Sequence, residues 1–114
     1  MSEMLRLQTE FVYCIGRLIR FADSIGYKLT LGDGYRDERT TYGHPNSAHR
    51  KRLAVDFNLF IDGVYMDKTE SHKRLGDFWK GLHKSARWGG DFGSERSPDA
   101  SDGNHYSFEY GGVQ

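Results

Sequence analysis

The first quarter of the chain alternates apolar and polar positions with a helical period. Apolar side chains recur at three- and four-residue steps between residues 2 and 25; they are Leu5, Phe11, Val12, Ile15, Leu18, Ile19, Ala22 and Ile25. Since an α-helix brings such positions to one face, this spacing predicts an amphipathic helix. Gly26 is well placed to end it. The apolar run 27–31 that follows predicts a short strand.

The period changes from helical to alternating in the middle of the chain. Over residues 53–60 every second residue is a large apolar one, a pattern typical of a strand. One face of the predicted strand carries Leu53, Val55, Phe57 and Leu59, and the other carries Ala54, Asp56, Asn58 and Phe60. The dipeptide Asp62-Gly63 between apolar residues predicts a two-residue hairpin turn. The return strand then spans residues 64–66.

A second helical period and a last strand complete the predicted elements. The helix begins at Thr69, and its apolar stripe consists of Leu75, Phe78, Trp79, Leu82 and Ala86. The glycine-containing segment 88–92 ends it, and residues 106–110 predict the final strand. The polar stretch 35–48 is a long loop, which in a compact domain is more often functional than idle. The pattern predicts an α+β fold, with a small, mainly antiparallel sheet and helices packed on one side.

Composition narrows the possible partners. The 114 residues carry sixteen basic and sixteen acidic side chains, so no overall field attracts nucleic acid. No apolar run approaches the roughly 20 residues that span a bilayer, and we expect no membrane insertion. Cys14 is the only cysteine, and its place on the helical apolar face predicts a buried structural thiol. The length fits one domain over residues 1–114.

Candidate chemistry centres on Asp56. A charged side chain in an otherwise apolar strand is costly unless it is ion-paired or bound to a metal. Taken alone, Asp56 is better explained by a structural ion pair than by a metal. His49 lies at the loop-to-strand junction before it, and His105 lies at the start of the last strand. Two histidines and one carboxylate are a common ligand set for a catalytic zinc ion, which leaves a fourth position for water.

Four segments resemble motifs of one enzyme group, in the same order and across about two-thirds of the chain. Segment 47–57, SAHRKRLAVDF, resembles the S-x-H-x-x-G-x-A-x-D-[FL] signature of the VanY-like and phage endolysin peptidases. This group of zinc enzymes includes D-alanyl-D-alanine carboxypeptidases and the hedgehog signalling domain. Segment 102–105, DGNH, is similar to the group's second motif, which has an acidic residue three positions before the last histidine ligand. The remaining matches are GYR at 34–36 and WGGDF at 88–92.

The resemblance implies a role for each matching residue. The zinc ligands would be His49, Asp56 and His105, and Asp102 would be the general base that takes a proton from the zinc-bound water. Arg36 would contact the substrate carboxylate or the oxyanion, and Ser47 would support the site by hydrogen bonding. These roles predict Zn²⁺ as the cofactor and a zinc metallopeptidase as the activity.

Two positions beside the ligands depart from the group's pattern. Arg52 stands where the group has glycine, so the turn between two ligands is open to question. Ser107 stands where the group places glutamate, two residues after the last ligand. Because alternate strand residues share a face, Glu109 could supply a displaced contact. A serine at 107 could instead weaken the orientation of His105.

Within this group the chain most resembles the compact L-alanyl-D-glutamate endopeptidases of bacteriophages, which cut the stem peptide of peptidoglycan. We therefore expect a monomeric endolysin without a separate cell-wall-binding domain. Its lack of a signal peptide predicts that it stays in the host cytoplasm until it is released to the cell wall, or is carried in the virion. The alternatives are a D-alanyl-D-alanine carboxypeptidase and a zinc-bound, non-catalytic binding module.

The remaining histidines and the tryptophans match no ligand position. His44, His72 and His83 are expected at the surface, with His44 beside the cleft. Trp79 and Trp88 are expected in the core rather than as platforms for carbohydrate.

Overall fold

Two helices pack on one side of a small antiparallel sheet in the computed structural model, which describes residues 1–32, 48, 51–92 and 102–114. The elements in chain order are α1 (Glu3–Ser24), β1 (Tyr27–Leu31), β2 (Ala54–Ile61), β3 (Val64–Met66), a 3₁₀ helix (Thr69–His72), α2 (Lys73–Lys80), β4 (Ala86–Trp88), a second 3₁₀ helix (Gly89–Asp91) and β5 (His105–Phe108). The α+β class and the antiparallel sheet are as the sequence predicts.

Helix α1 follows the predicted apolar stripe closely. Ser2 caps its first turn, because the Ser2 hydroxyl accepts a hydrogen bond from the Leu5 amide at 3.0 Å. Gly26 follows the helix with a positive φ of 81°, a conformation that glycine adopts without strain. The buried residues of α1 recur every three or four positions: Leu7, Phe11, Cys14, Leu18 and Ala22. The prediction of a buried thiol at Cys14 is confirmed, and burial raises its pKa.

The strands of the sheet are arranged in the order β1-β2-β5-β4, and β3 pairs with β2 as well. All of these pairings are antiparallel. The predicted hairpin joins β2 to β3, and its two turn residues Asp62 and Gly63 have positive φ values of 53° and 79°. Positive φ at both central residues is the geometry that favours the Asp-Gly pair.

The second half of the chain departs from the predicted elements. The predicted helix from residue 69 to residue 86 divides into a 3₁₀ turn and the short helix α2, which ends at Lys80. Ala86 instead belongs to β4 and pairs with Phe108 of β5. A three-residue strand is too short to produce a recognisable period, so the helical interpretation of Ala86 was wrong. The last strand is also shifted, to residues 105–108.

The main core lies between the helices and the sheet. Trp79 on α2 is fully buried, and its indole N–H lies 3.0 Å from the Arg87 carbonyl and 3.2 Å from the Ser107 carbonyl. These contacts fix α2 against β4 and β5. Trp88 is also buried and donates to the Gly103 carbonyl at 2.8 Å. Both tryptophans are therefore core residues, as predicted. None of the described helices is long and apolar enough to cross a membrane.

Candidate metal centre

Two strands bring Asp56 and His105 together. Asp56 on β2 and His105 on β5 are directly opposite each other in the antiparallel register, so their side chains lie on the same face of the sheet. Both residues are buried, with 4% and 8% of their surface exposed. On the other edge of β2, the Gly32 amide donates to the Asp56 carbonyl at 2.7 Å, which fixes the backbone that carries the carboxylate.

The imidazole of His105 is held at both nitrogens. Its Nε2 lies 2.7 Å from the Gln114 carbonyl oxygen and its Nδ1 lies 3.1 Å from Asp56 Oδ1. A carbonyl only accepts hydrogen bonds, so Nε2 carries the hydrogen. In a neutral ring Nδ1 then presents a lone pair to the Asp56 carboxylate. A cation must lie between these two acceptors, and it can be a proton or a metal ion.

Electrostatics agree with a cation at this position. Burial lowers the pKa of His105, but the hydrogen bonds to Asp56 and Gln114 and the charges of Asp56 and Asp102 outweigh burial. The net pKa of His105 lies above its ordinary value. In the absence of a metal the Asp56–His105 pair is the buried ion pair that the sequence left as an alternative.

Asp102 completes a group of three possible metal ligands. Ligand atoms of Asp56, Asp102 and His105 all lie within 4.8 Å of one another, with Asp102 the exposed member. A tight turn sets this spacing, because the His105 amide donates to the Asp102 carbonyl at 3.0 Å and the Asp102 amide donates to the Gly89 carbonyl at 2.9 Å. A Cβ on Gly89 would collide with the Asp102 carbonyl and lie 2.8 Å from His105 Cβ. This close approach therefore requires glycine at position 89.

The geometry of the buried pair suits a metal ion. Two donor atoms on a tetrahedral zinc, each about 2.0–2.1 Å from it, lie about 3.4 Å apart. The observed 3.1 Å between His105 Nδ1 and Asp56 Oδ1 is close to this value. Asp56, Asp102 and His105 could thus hold a metal ion. A ligand set of imidazole and carboxylates accepts several divalent ions, so these residues do not select one metal.

The group opens into a cavity of about 360 Å³. Its walls come from four parts of the chain: Ala48, Phe92, the pair Asp102 and His105, and the residues Gly112, Val113 and Gln114. Ala48 is almost fully buried, and its carbonyl accepts hydrogen bonds from the amides of Lys51 (3.2 Å) and Leu53 (2.9 Å). The residue that precedes His49 in the sequence is therefore fixed at this cavity.

Other predicted site residues lie outside the described part of the chain. These are Arg36, Ser47 and His49, together with His44. The structure thus brings together Asp56, Asp102 and His105. It also adds Asp102 to the possible ligands, whereas the sequence predicts for this residue the role of general base.

The backbone accounts for one of the two departures from the motif pattern. Arg52 has a positive φ of 59°, the left-handed conformation that glycine adopts most easily. Ser107 is fully buried, and its hydroxyl has no hydrogen-bond partner among the described residues. The Glu109 carboxylate accepts a hydrogen bond from the Gly112 amide at 2.8 Å.

No sequence pattern places Gln114 in the site. After β5 the chain turns back through Gly111 and Gly112, which have positive φ values of 60° and 81°, and Tyr110 pairs with Val113. This turn, held by Glu109, carries the Gln114 carbonyl to His105. A histidine that binds a metal usually donates its other N–H to such a group. The adjacent glycines were the available signal for the turn.

Two histidines differ from their predicted surface positions. His72 is buried at 3% exposure, and its Nδ1 lies 2.8 Å from the Tyr106 hydroxyl. His83 is partly buried, stacks on Phe108 with ring centroids 4.3 Å apart, and lies 3.0 Å from the Glu10 carboxylate. Both side chains occupy the helix side of the sheet, where aromatic neighbours cover them.

No protein-family model matches the sequence, and no curated protein matches it either.

Proposed function

We propose that this protein is a zinc-dependent peptidase of the peptidoglycan stem peptide, acting as an L-alanyl-D-glutamate endopeptidase of the phage endolysin type. The observation that carries the proposal is the convergence of Asp56, Asp102 and His105 within 4.8 Å, with the buried pair spaced as two ligands of one metal. The metal ligands in this proposal are His49, Asp56 and His105.

Two further features support His49 as the third ligand. They also support the resemblance to the VanY-like peptidases with their hedgehog-type fold. Ala48, next to His49 in the chain, lines the same cavity as Asp102 and His105. The left-handed backbone at Arg52 is the conformation expected where the related motif has glycine. Arg52 differs from the glycine of the motif, but its backbone adopts a conformation that glycine favours.

The proposed chemistry divides between the metal and the chain. When bound, zinc lowers the pKa of a coordinated water to about 7 and polarises the scissile carbonyl. The Asp102 carboxylate, exposed in the cavity, takes the proton from the attacking water and passes it to the leaving amine. Gln114 keeps the proton of His105 on Nε2, so Nδ1 faces the ligand position. Arg36 steadies the substrate carboxylate or the oxyanion, and Ser47 supports the ligands.

The test compares the wild-type protein with Asp102→Ala on purified peptidoglycan. We expect one zinc per chain in both, measured by elemental analysis, and a loss of about 10²- to 10⁴-fold in the release of free amino groups in the variant. Asp23→Ala is the matched control, because Asp23 is an exposed carboxylate at the far end of α1. The control should keep full activity.

Two outcomes would contradict the proposal. Equal activity of wild type and Asp102→Ala would remove Asp102 from catalysis, and zinc-bound protein without activity in either form would indicate a binding module. Mass spectrometry of the digested muropeptides identifies the bond. New L-alanine C-termini are expected, whereas released D-alanine would indicate a D-alanyl-D-alanine carboxypeptidase.

A further inference from the structure

A second cavity, of about 270 Å³, lies next to the candidate metal centre. It is formed where the segment between β3 and α2 meets the turn before β5, and its walls include Asp67, Lys68, His72 and Asn104. Asp102 lines this cavity and the cavity of the metal centre alike. A group bound in the second cavity would therefore lie beside the proposed general base.

Besides Asp102, the lining of this cavity carries one charge of each sign. Asp67 and Lys68 are consecutive, exposed residues that both line it. Neither takes part in an ion pair within the described residues. The adjacent opposite charges of Asp67 and Lys68 suit a ligand that presents an ammonium group and a carboxylate together.

Apart from these two residues and the carboxylate of Asp102, the rest of the lining is mostly polar or aromatic and carries no charge. His72 is buried, and burial lowers its pKa to about 4, so its ring is neutral near pH 7. Nδ1 of this ring lies 2.8 Å from the Tyr106 hydroxyl. Phe57 adds an aromatic wall and Asn104 adds an amide. Such a lining suits a short aliphatic stem with a polar end.

We infer that this cavity is the subsite for a substrate residue whose side chain ends in both an ammonium group and a carboxylate. Lys68 pairs with the carboxylate and Asp67 with the ammonium group, while Phe57 contacts the aliphatic stem. The inference rests on the proposed peptidase function and deepens it, because it assigns specificity for one substrate residue to residues outside the metal centre.

The test uses two synthetic tripeptides, L-alanyl-D-glutamyl-diaminopimelate and L-alanyl-D-glutamyl-lysine. Their side chains share the ammonium group, and the first carries an additional carboxylate. The zinc-loaded protein should favour the diaminopimelate peptide in KM by roughly fivefold, as for one partly exposed ion pair. Lys68→Gln should abolish this preference, and Asp67→Asn should raise the KM for both peptides. Lys84→Gln, an exposed lysine outside both cavities, is the control and should keep the preference.

Failure of the subsite and failure of the function give different results. If both peptides are cut and Lys68→Gln keeps the wild-type preference, the subsite is refuted while the peptidase function stands. If neither peptide is cut, the proposed function fails, and NMR titration of the zinc-loaded protein then decides the subsite. Shifts of the Lys68, Thr69 and Asn104 amides that are larger with the diaminopimelate peptide would support it. Absence of shifts at these amides would overturn it.

Discussion

Both faces of strand β5 are buried, but one carries aromatic side chains and the other carries polar ones. Tyr106 and Phe108 face the helices, where Phe108 packs edge-on against Phe11 at 5.2 Å and lies 5.7 Å from Trp79. His105 and Ser107 face the other way, opposite Asp56 and Ala54 of β2. On the first face burial removes apolar surface from water. On the second it isolates polar groups, which need a proton, a metal or another polar partner.

The comparison explains how one short strand serves both the core and the site. Close packing on the helix side fixes the backbone of β5, and the same backbone fixes where His105 stands relative to Asp56. The stability of the apolar face is thus a condition for the geometry of the polar face. Substitutions on the two faces should therefore affect different properties.

The largest effect is expected from Phe108→Ala. Removing a fully buried ring leaves a cavity between Phe11 and Trp79, and the free energy of unfolding should fall by about 3–5 kcal/mol. Urea denaturation measures this loss. Tyr13→Ala is the matched control, because Tyr13 is 76% exposed and should lose less than about 1 kcal/mol. Similar losses in the two variants would contradict the assignment of Phe108 to the core.

A smaller effect is expected from His72, a buried histidine on the helix side. Its pKa falls from 6.5 to about 4 on folding because burial disfavours the charged ring. Between these values the unfolded chain binds more protons, so the stability that depends on a neutral His72 is full above pH 6.5 and is lost as the pH falls towards 4. The total is on the order of 3 kcal/mol.

The measurement for His72 is the free energy of unfolding from pH 7.5 to pH 4 in wild type and His72→Gln. The carboxylates titrate in both proteins, so the difference between the two curves isolates the histidine. We expect the wild type to lose more stability than the variant across this range. Parallel curves would show that His72 is already solvated in the folded protein.

The smallest effect, and one of opposite sign, is expected from Ser107→Ala beside Phe108. The Ser107 hydroxyl is buried without a hydrogen-bond partner among the described residues. Removing it should leave the stability unchanged or raise it by about 1 kcal/mol, as measured by urea denaturation. A loss above 1 kcal/mol would reveal a polar partner for this hydroxyl. Both faces of β5 would then contribute to stability.

The local elements were readable from the sequence because each depends on neighbouring residues. The apolar stripe of α1 acts within a few turns, and the Asp62-Gly63 turn needs only its own φ values. The polar residue Asp56 in an apolar strand indicated a special position. The acid three residues before His105 was also visible as a motif.

Pairings between distant residues were decided by the tertiary structure. Ala86 continues a helical spacing, but hydrogen bonding to β5 makes it part of a strand. His72 reads as a polar surface residue, yet aromatic residues far along the chain bury it. The contact of Gln114 with His105 depends on a turn that follows the last strand.

The sequence by itself determined the amphipathic helix and the central hairpin, and it singled out Asp56 and His105 as candidate metal ligands, because periodicity and side-chain chemistry are local properties. Only the tertiary structure decided that Asp56, Asp102 and His105 meet within 4.8 Å and which nitrogen of His105 faces Asp56. The physical reason is that strand register and the close approach at Gly89 set these distances, and neither is encoded in any single stretch of the chain.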